Sequence, residues 1–298
     1  MRFDRFITLN LAHHLRHAGI GVSGPRLPVL MYHSISDDPE PGLAPYYKVS
    51  TSPAVFRRHI GFLMEQGYCS IGLVKAVELL QEGAPMPEKS VVITFDDGFR
   101  NIFTEAFPVL LEHGFTATVF LPTAFIGNPR RSFKDKECLT WDEVCDLQKH
   151  GIQFGSHTVS HPRLIELSWK DIETEVRQSK TELEQHLGKP ISTFAHPYAF
   201  PQTNRQYVQG IRKLLAESGY VCCATTAIGS MRRGDDPYRL KRLPVNSLDD
   251  PAFFRAKLEG GYDWLARPQA VIKRFKERVR AFTQWNVAAP ATNNATLN

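Results

Sequence analysis

Short apolar runs and helix-period stripes alternate along the chain from about residue 28 to residue 250. Val29-Leu30-Met31-Tyr32 and Val91-Val92-Ile93-Thr94-Phe95 are brief, rich in β-branched or aromatic residues and bounded by turn formers, the signature of buried strands. Further runs at Tyr68 to Leu73, Thr116 to Leu121, Ile152 to Phe154, Ile191 to Ala195, Tyr220 to Ala224 and Arg239 to Val245 predict more strands. Between them lie helical stripes. Ser52-Pro53 opens one that carries Phe56, Ile60 and Leu63; Thr140 caps another through Lys149; Ser168 and Asp171 open a third with Ile172, Val176, Leu183 and Leu187 on one face. Helices are also expected over about 101–113 and 205–218. Strand and helix thus alternate about seven times, which predicts a parallel sheet with crossover helices. At this length a closed (β/α) barrel is favoured over an open sheet, with the chemistry at the carboxyl ends of its strands. The polar stretch from Pro122 to Lys136 is too long for a plain connection and is expected to line or cover a site.

The ends of the chain differ from its middle. Phe3, Phe6, Ile7, Leu11 and Leu15 form an apolar stripe near the start, and Ile272, Phe275, Val279 and Phe282 form another near the end among Lys273, Arg274, Lys276, Arg278 and Arg280. The expected organisation is an N-terminal amphipathic helix and linker over 1–27, a barrel over 28–250 and a basic helical extension with a tail over 251–298. Such terminal helices usually cap a domain, with peripheral membrane contact as the alternative.

The chain has 298 residues, 42% of them hydrophobic, enough for one large core. Its net charge of +5 is too diffuse to argue for nucleic acid. The 5 cysteines include no Cys-x-x-Cys, and Cys222 and Cys223 adjoin within an apolar run, so reduced thiols in a reducing compartment are expected. No stretch reaches the roughly 18 continuous apolar residues of a membrane span. The polar first twenty residues make a poor secretory signal, and a cytoplasmic location follows as an expectation.

Two stretches carry chemistry. The Asp96-Asp97-Gly98 turn ends the second apolar run, and adjacent carboxylates repel unless a cation partners them. About sixty residues on, His157 and His161 stand after another strand at a spacing that can grip one metal. Most other histidines, His59 among them, fall on predicted helices or their ends and are expected to face solvent or cap. His196 adjoins Tyr198 and is expected near the pocket, and Trp141 and Trp169 are weaker candidates for stacking on sugar rings.

Thr94-Phe95-Asp96-Asp97-Gly98 and His157-Thr158-Val159-Ser160-His161, in this order and separation, resemble the polysaccharide deacetylase (NodB-like carbohydrate esterase) family over roughly Pro28 to Val245. The resemblance implies a distorted seven-stranded (β/α) barrel and a divalent metal, zinc first with cobalt, nickel or manganese also compatible, held by Asp97, His157 and His161. It implies Asp96 as general base and the backbone N–H of Tyr198 as oxyanion donor, and an N-acetylated glycan or lipid-linked sugar as substrate. Two positions depart from the family pattern. Ala195 stands where an arginine normally tethers the base, and Leu243-Pro244-Val245 lacks the family's acid histidine. Arg242 is the candidate substitute for the first and His33 for the second, as in the permuted branch that includes the poly-N-acetylglucosamine deacetylases. A deformylase or other amide hydrolase, and a catalytically silent glycan-binding barrel, are the rival readings.

Overall fold

The structure, a computed structural model, describes residues 2–19, 24–266, 268 and 269. Seven strands close into a ring: β1 (Val29–Tyr32), β2 (Ser90–Phe95), β3 (Thr118–Leu121), β4 (Gln153–Ser156), β5 (Thr193–Ala195), β6 (Cys222–Ile228) and β7 (Leu240–Pro244). Each pairs in parallel with the next, and β7 closes onto β1 through Leu243 opposite Leu30. The closed (β/α) barrel read from the alternation is the fold observed. The expected strand at Tyr68 to Leu73 shrinks to Cys69–Ser70, which pairs with the first residues of β2 outside the ring. Its apolar residues go elsewhere, since Gly72 caps the Leu73–Glu82 helix.

Alternation along the strands builds two apolar layers. Leu30, Tyr32, Ile93, Phe95, Val119, Leu121 and Phe194 meet the outer helices through residues such as Phe56, Ile60, Ile172 and Val176. The opposite faces (Val29, Val92, Phe120, Ala195, Cys222, Ala224 and Leu240) fill the interior, where Leu73, Ala76, Val77 and Leu80 join them. Gly155 is needed beside this interior layer, because a Cβ there would stand 2.4 Å from Thr193 Oγ1 and 2.6 Å from the Phe120 ring. The expected helix starts hold: Ser52, Thr140 and Ser168 each accept a backbone N–H in the first turn, and Thr140 and Glu143 form a reciprocal capping box.

The N-terminal helix, Phe3 to His17, docks by its polar side. Arg2 and Asp4 engage Asp249 and Tyr262, Arg5 pairs with Asp250, and His13 with Glu259. Phe3, Phe6, Leu11 and Leu15 consequently face outward. The Pro251–Leu258 helix adds Phe253, Phe254 and Leu258 to the barrel–helix core. The second apolar stripe, Ile272 to Phe282, lies outside the described residues.

His59 corrects a sequence expectation. It shares a helical face with Phe56, Ile60 and Leu63, so the helix carries it inward, where it stacks on Phe254 at 4.0 Å. Its Nε2 donates to the Asp249 carbonyl at 2.8 Å and Nδ1 accepts from Tyr32 at 3.2 Å, a neutral tautomer. Burial is the main cause that pushes the imidazole from 6.5 down to about 4. The fold therefore disfavours the protonated form, and this contribution is complete above pH 6.5 and lost as pH falls towards 4. It amounts to about 3 kcal/mol over that window. In denaturant titrations the stability gap between the native protein and His59→Gln should narrow from pH 7.5 to pH 4.5; a constant gap would mean that His59 does not resist protonation.

Candidate active site

The chemistry gathers where the strands end. Asp96 and Asp97 follow β2 directly, and His157 follows β4. His161 sits on the turn beyond, held by Glu175 of the Trp169–Leu187 helix, whose carboxylate accepts the N–H groups of Val159 and Ser160 at 2.8 and 2.9 Å. His33 follows β1, Arg242 lies on β7 and Tyr198 follows β5. Asp97 (φ 70°), Thr158 (71°), His161 (54°) and Tyr198 (54°) all adopt left-handed backbone without being glycine. Such conformations cost about 1–3 kcal/mol each and cluster where function fixes the geometry.

Asp97, His157 and His161 present one ligand atom each, all within 4.8 Å of one another, and all three residues are buried. Asp97 Oδ1 lies 3.1 Å from His161 Nε2 and 3.7 Å from His157 Nε2, yet accepts no well-aligned hydrogen bond. His157 Nδ1 donates to the Ala195 carbonyl at 2.8 Å, which leaves Nε2 as a lone pair aimed at the carboxylate. Burial lowers His157 to about 4, against the pull of Asp96, so it stays neutral. A buried carboxylate oxygen without a donor, facing two imidazole nitrogens, is a donor set that fits a divalent cation.

Asp96 is held differently. Its two oxygens take the Arg242 guanidinium bidentately at 2.7 and 2.8 Å, and Arg242 Nε donates to the Thr225 carbonyl at 3.0 Å. Both side chains are buried. Burial alone would raise the Asp96 carboxyl; the charge and hydrogen bonds of Arg242, helped by His157 and His33, outweigh it and hold Asp96 at about 2. His33 Nε2 stands 3.8 Å from Asp96 Oδ2, its pKa lowered chiefly by burial against the pull of Asp96 and Asp97.

Comparison with known proteins agrees with this arrangement. Residues 83–220 match the polysaccharide deacetylase family. The Bacillus subtilis protein YxkH is 28% identical over 234 residues, 78% of this chain and 76% of its own. Residues 83–220 thus carry a polysaccharide deacetylase domain. The poly-beta-1,6-N-acetyl-D-glucosamine N-deacetylase of Staphylococcus epidermidis is 24% identical over 207 residues, 66% of this chain and 68% of that protein. IcaB from Ammonifex degensii superposes with a TM-score of 0.68 at 21% identity, over 79% of this chain and 98% of that one, a likeness of fold.

The departures read from the sequence have a spatial answer. Ala195 lends its carbonyl to His157, while the guanidinium reaches Asp96 from β7 on the far side of β1. The structure thus brings Asp96, Asp97, His157, His161, His33, Arg242 and Tyr198 to one end of the barrel. Tyr198 rests edge-on against the His161 ring at 4.7 Å. His196 is instead a buried brace, bonded to the Tyr207 hydroxyl at 2.9 Å. Trp141 is buried and stacks on His186 at 3.8 Å, and Trp169, partly exposed, packs on Tyr207 at 5.7 Å.

Sequence reading missed a hairpin inside the long polar loop. Ser132–Phe133 pairs with Lys136–Glu137, and Lys134 and Asp135 form its tip. Phe133 packs against the His161 ring at 5.0 Å, and Lys134 Nζ reaches Asp97 Oδ2 at 3.1 Å. The loop's length was the only signal, because contacts that seat the hairpin come from Phe99 and Arg100, outside the loop.

Proposed function

We propose that this chain is a divalent-metal-dependent N-deacetylase acting on an N-acetylated amino sugar in a polysaccharide, oligosaccharide or lipid-linked glycan. The observation that carries the reading is the buried Asp97–His157–His161 set, with an Arg242-anchored Asp96 next to it. The named activity of the Staphylococcus epidermidis relative supports the substrate class. Two imidazoles and a carboxylate suit zinc, with cobalt, nickel and manganese compatible.

Held by these three residues, the cation supplies Lewis-acid polarisation of the amide carbonyl. Asp96, kept ionised and oriented by Arg242, takes a proton from the attacking water. An acid of such low pKa surrenders that proton readily, and His33, 3.8 Å away and neutral at rest, is placed to receive it and deliver it to the departing nitrogen. The backbone N–H of Tyr198 serves the oxyanion, while the rings of Tyr198 and Phe133 flank His161 and exclude water from one side.

The test is acetate release from N-acetylated glucosamine oligosaccharides by zinc-reloaded protein. Turnover is expected in the native chain and should fall by roughly 100- to 10,000-fold in Asp96→Asn, the range for a lost general base. Stoichiometric metal without acetate from any N-acetylated sugar would favour the silent barrel.

A further inference from the structure

The mechanism leaves two cations at the mouth of the site without a task. Lys134 is presented by the 132–137 hairpin, whose tip residues both have left-handed backbone (Lys134 φ 52°, Asp135 φ 60°). The hairpin is firmly seated. Phe133 packs on Phe125 at 4.3 Å, Arg100 N donates to the Glu137 carbonyl, and Lys136 is tied to Ser34, Ser36 and Asp38. Lys134 Nζ lies 4.5 Å from the Phe133 ring centre and 5.7 Å from that of Tyr198. Arg163, just past His161-Pro162, lays its guanidinium over Tyr198 at 4.6 Å, is exposed, and forms no ion pair among the described residues.

The charges inside the mouth are otherwise matched. Arg242 neutralises Asp96. Asp97 is the carboxylate that Lys134 holds, and it is also the proposed metal ligand. Once Asp97 serves a divalent cation, the ammonium can no longer share it on favourable terms. Lys134 is half-exposed on a flexible stem and can turn outward, towards Tyr198 and Arg163. Two cations then flank the aromatic wall of a site that already holds excess positive charge. A neutral sugar gains nothing from them, and a neighbouring glucosamine ammonium is repelled.

We infer that Lys134 and Arg163 form an anion-recognising lip, so that the preferred substrate is an N-acetylated amino sugar bearing a phosphate or carboxylate close to its acetamide. This rests on the deacetylase reading for the identity of the sugar. It goes beyond that reading in assigning the hairpin tip and the residue after Pro162 to substrate choice.

Two readouts test it. Calorimetry on zinc-loaded Asp96→Asn, which turns over too slowly to consume the sugars, can compare N-acetylglucosamine 1-phosphate, N-acetylmuramic acid and neutral N-acetylglucosamine. Two exposed charge pairs predict roughly five- to thirty-fold tighter binding of the anions at low ionic strength, fading with salt. The preference should vanish in Lys134→Met/Arg163→Gln, whose exposed positions leave folding intact by circular dichroism. With Asp96 in place, the anionic-to-neutral ratio of kcat/KM for acetate release by zinc-loaded protein should follow the same ranking and collapse towards one in the double variant. An advantage confined to the phosphate or to the carboxylate supports the lip and identifies the source of the anion. Equal binding of neutral and anionic sugars, or a preference that survives the double substitution, overturns it. Acetate from every sugar without preference removes the lip and leaves the deacetylase standing. A lip-dependent binding preference with no acetate from any loaded sample removes the deacetylase and keeps the anion site.

Discussion

Arg242→Leu should keep its metal, lose most of its turnover and move the acid limb of its pH profile upward. In the native fold Arg242 holds Asp96 at about 2, against a usual 3.8, although burial alone would raise it. Since the folded value is the lower one, Asp96 contributes stability above pH 3.8 that is lost as pH falls towards 2. Removing the guanidinium reverses that sign, because a buried carboxylate with no cation favours its protonated form. The acid limb of kcat/KM should then rise towards neutrality, and acetate release at pH 7 should fall about 100-fold or more. Denaturant unfolding should show a loss of about 3–5 kcal/mol, the range for breaking one partner of a buried pair. Arg242→Lys, which keeps a charge without the bidentate fork, should fall between the two. A variant with an unmoved acid limb would mean that Arg242 is a packing element and does not govern Asp96.

The second large effect is on metal content. Mass spectrometry of native protein offered zinc should find about one ion per chain, and His157→Ala close to none, because a catalytic zinc site rests on three protein ligands. Acetate release in the variant should drop to background. A readout free of turnover accompanies it: zinc in excess of its dissociation constant should raise the native melting temperature and leave the variant's unchanged. His157→Ala that still binds stoichiometric metal would dissolve the assigned ligand set.

Much of this was readable from the chain because local rules and the global fold agree in its middle. Apolar runs of the right length became barrel strands, and the carboxylates and imidazoles that end β2 and β4 emerged together because the strands are parallel. That Arg242 and His33 would come close to Asp96 was legible since β1 lies between β2 and β7 in a closed ring. What escaped depended on partners distant in sequence. The Lys134 hairpin is seated in part by Phe99 and Arg100, which no pattern inside residues 122–136 announces. His59 reads as a polar helical residue until its spacing from Phe56 and Leu63 is weighed against its charge. The N-terminal stripe pointed outward because ion pairs to Asp249, Asp250 and Glu259 decided which side of the helix docks.

The left-handed backbone at Asp97, Thr158, His161 and Tyr198 bears on how this barrel responds to selection. At each of these positions glycine would relieve the steric penalty of the side chain. A screen that rewards heat resistance alone would therefore enrich substitutions that dismantle the ligand set, its turn and its aromatic wall. Improving the robustness of this scaffold while retaining its chemistry means gaining stability elsewhere, on the outer helices and their caps, and leaving those four residues strained.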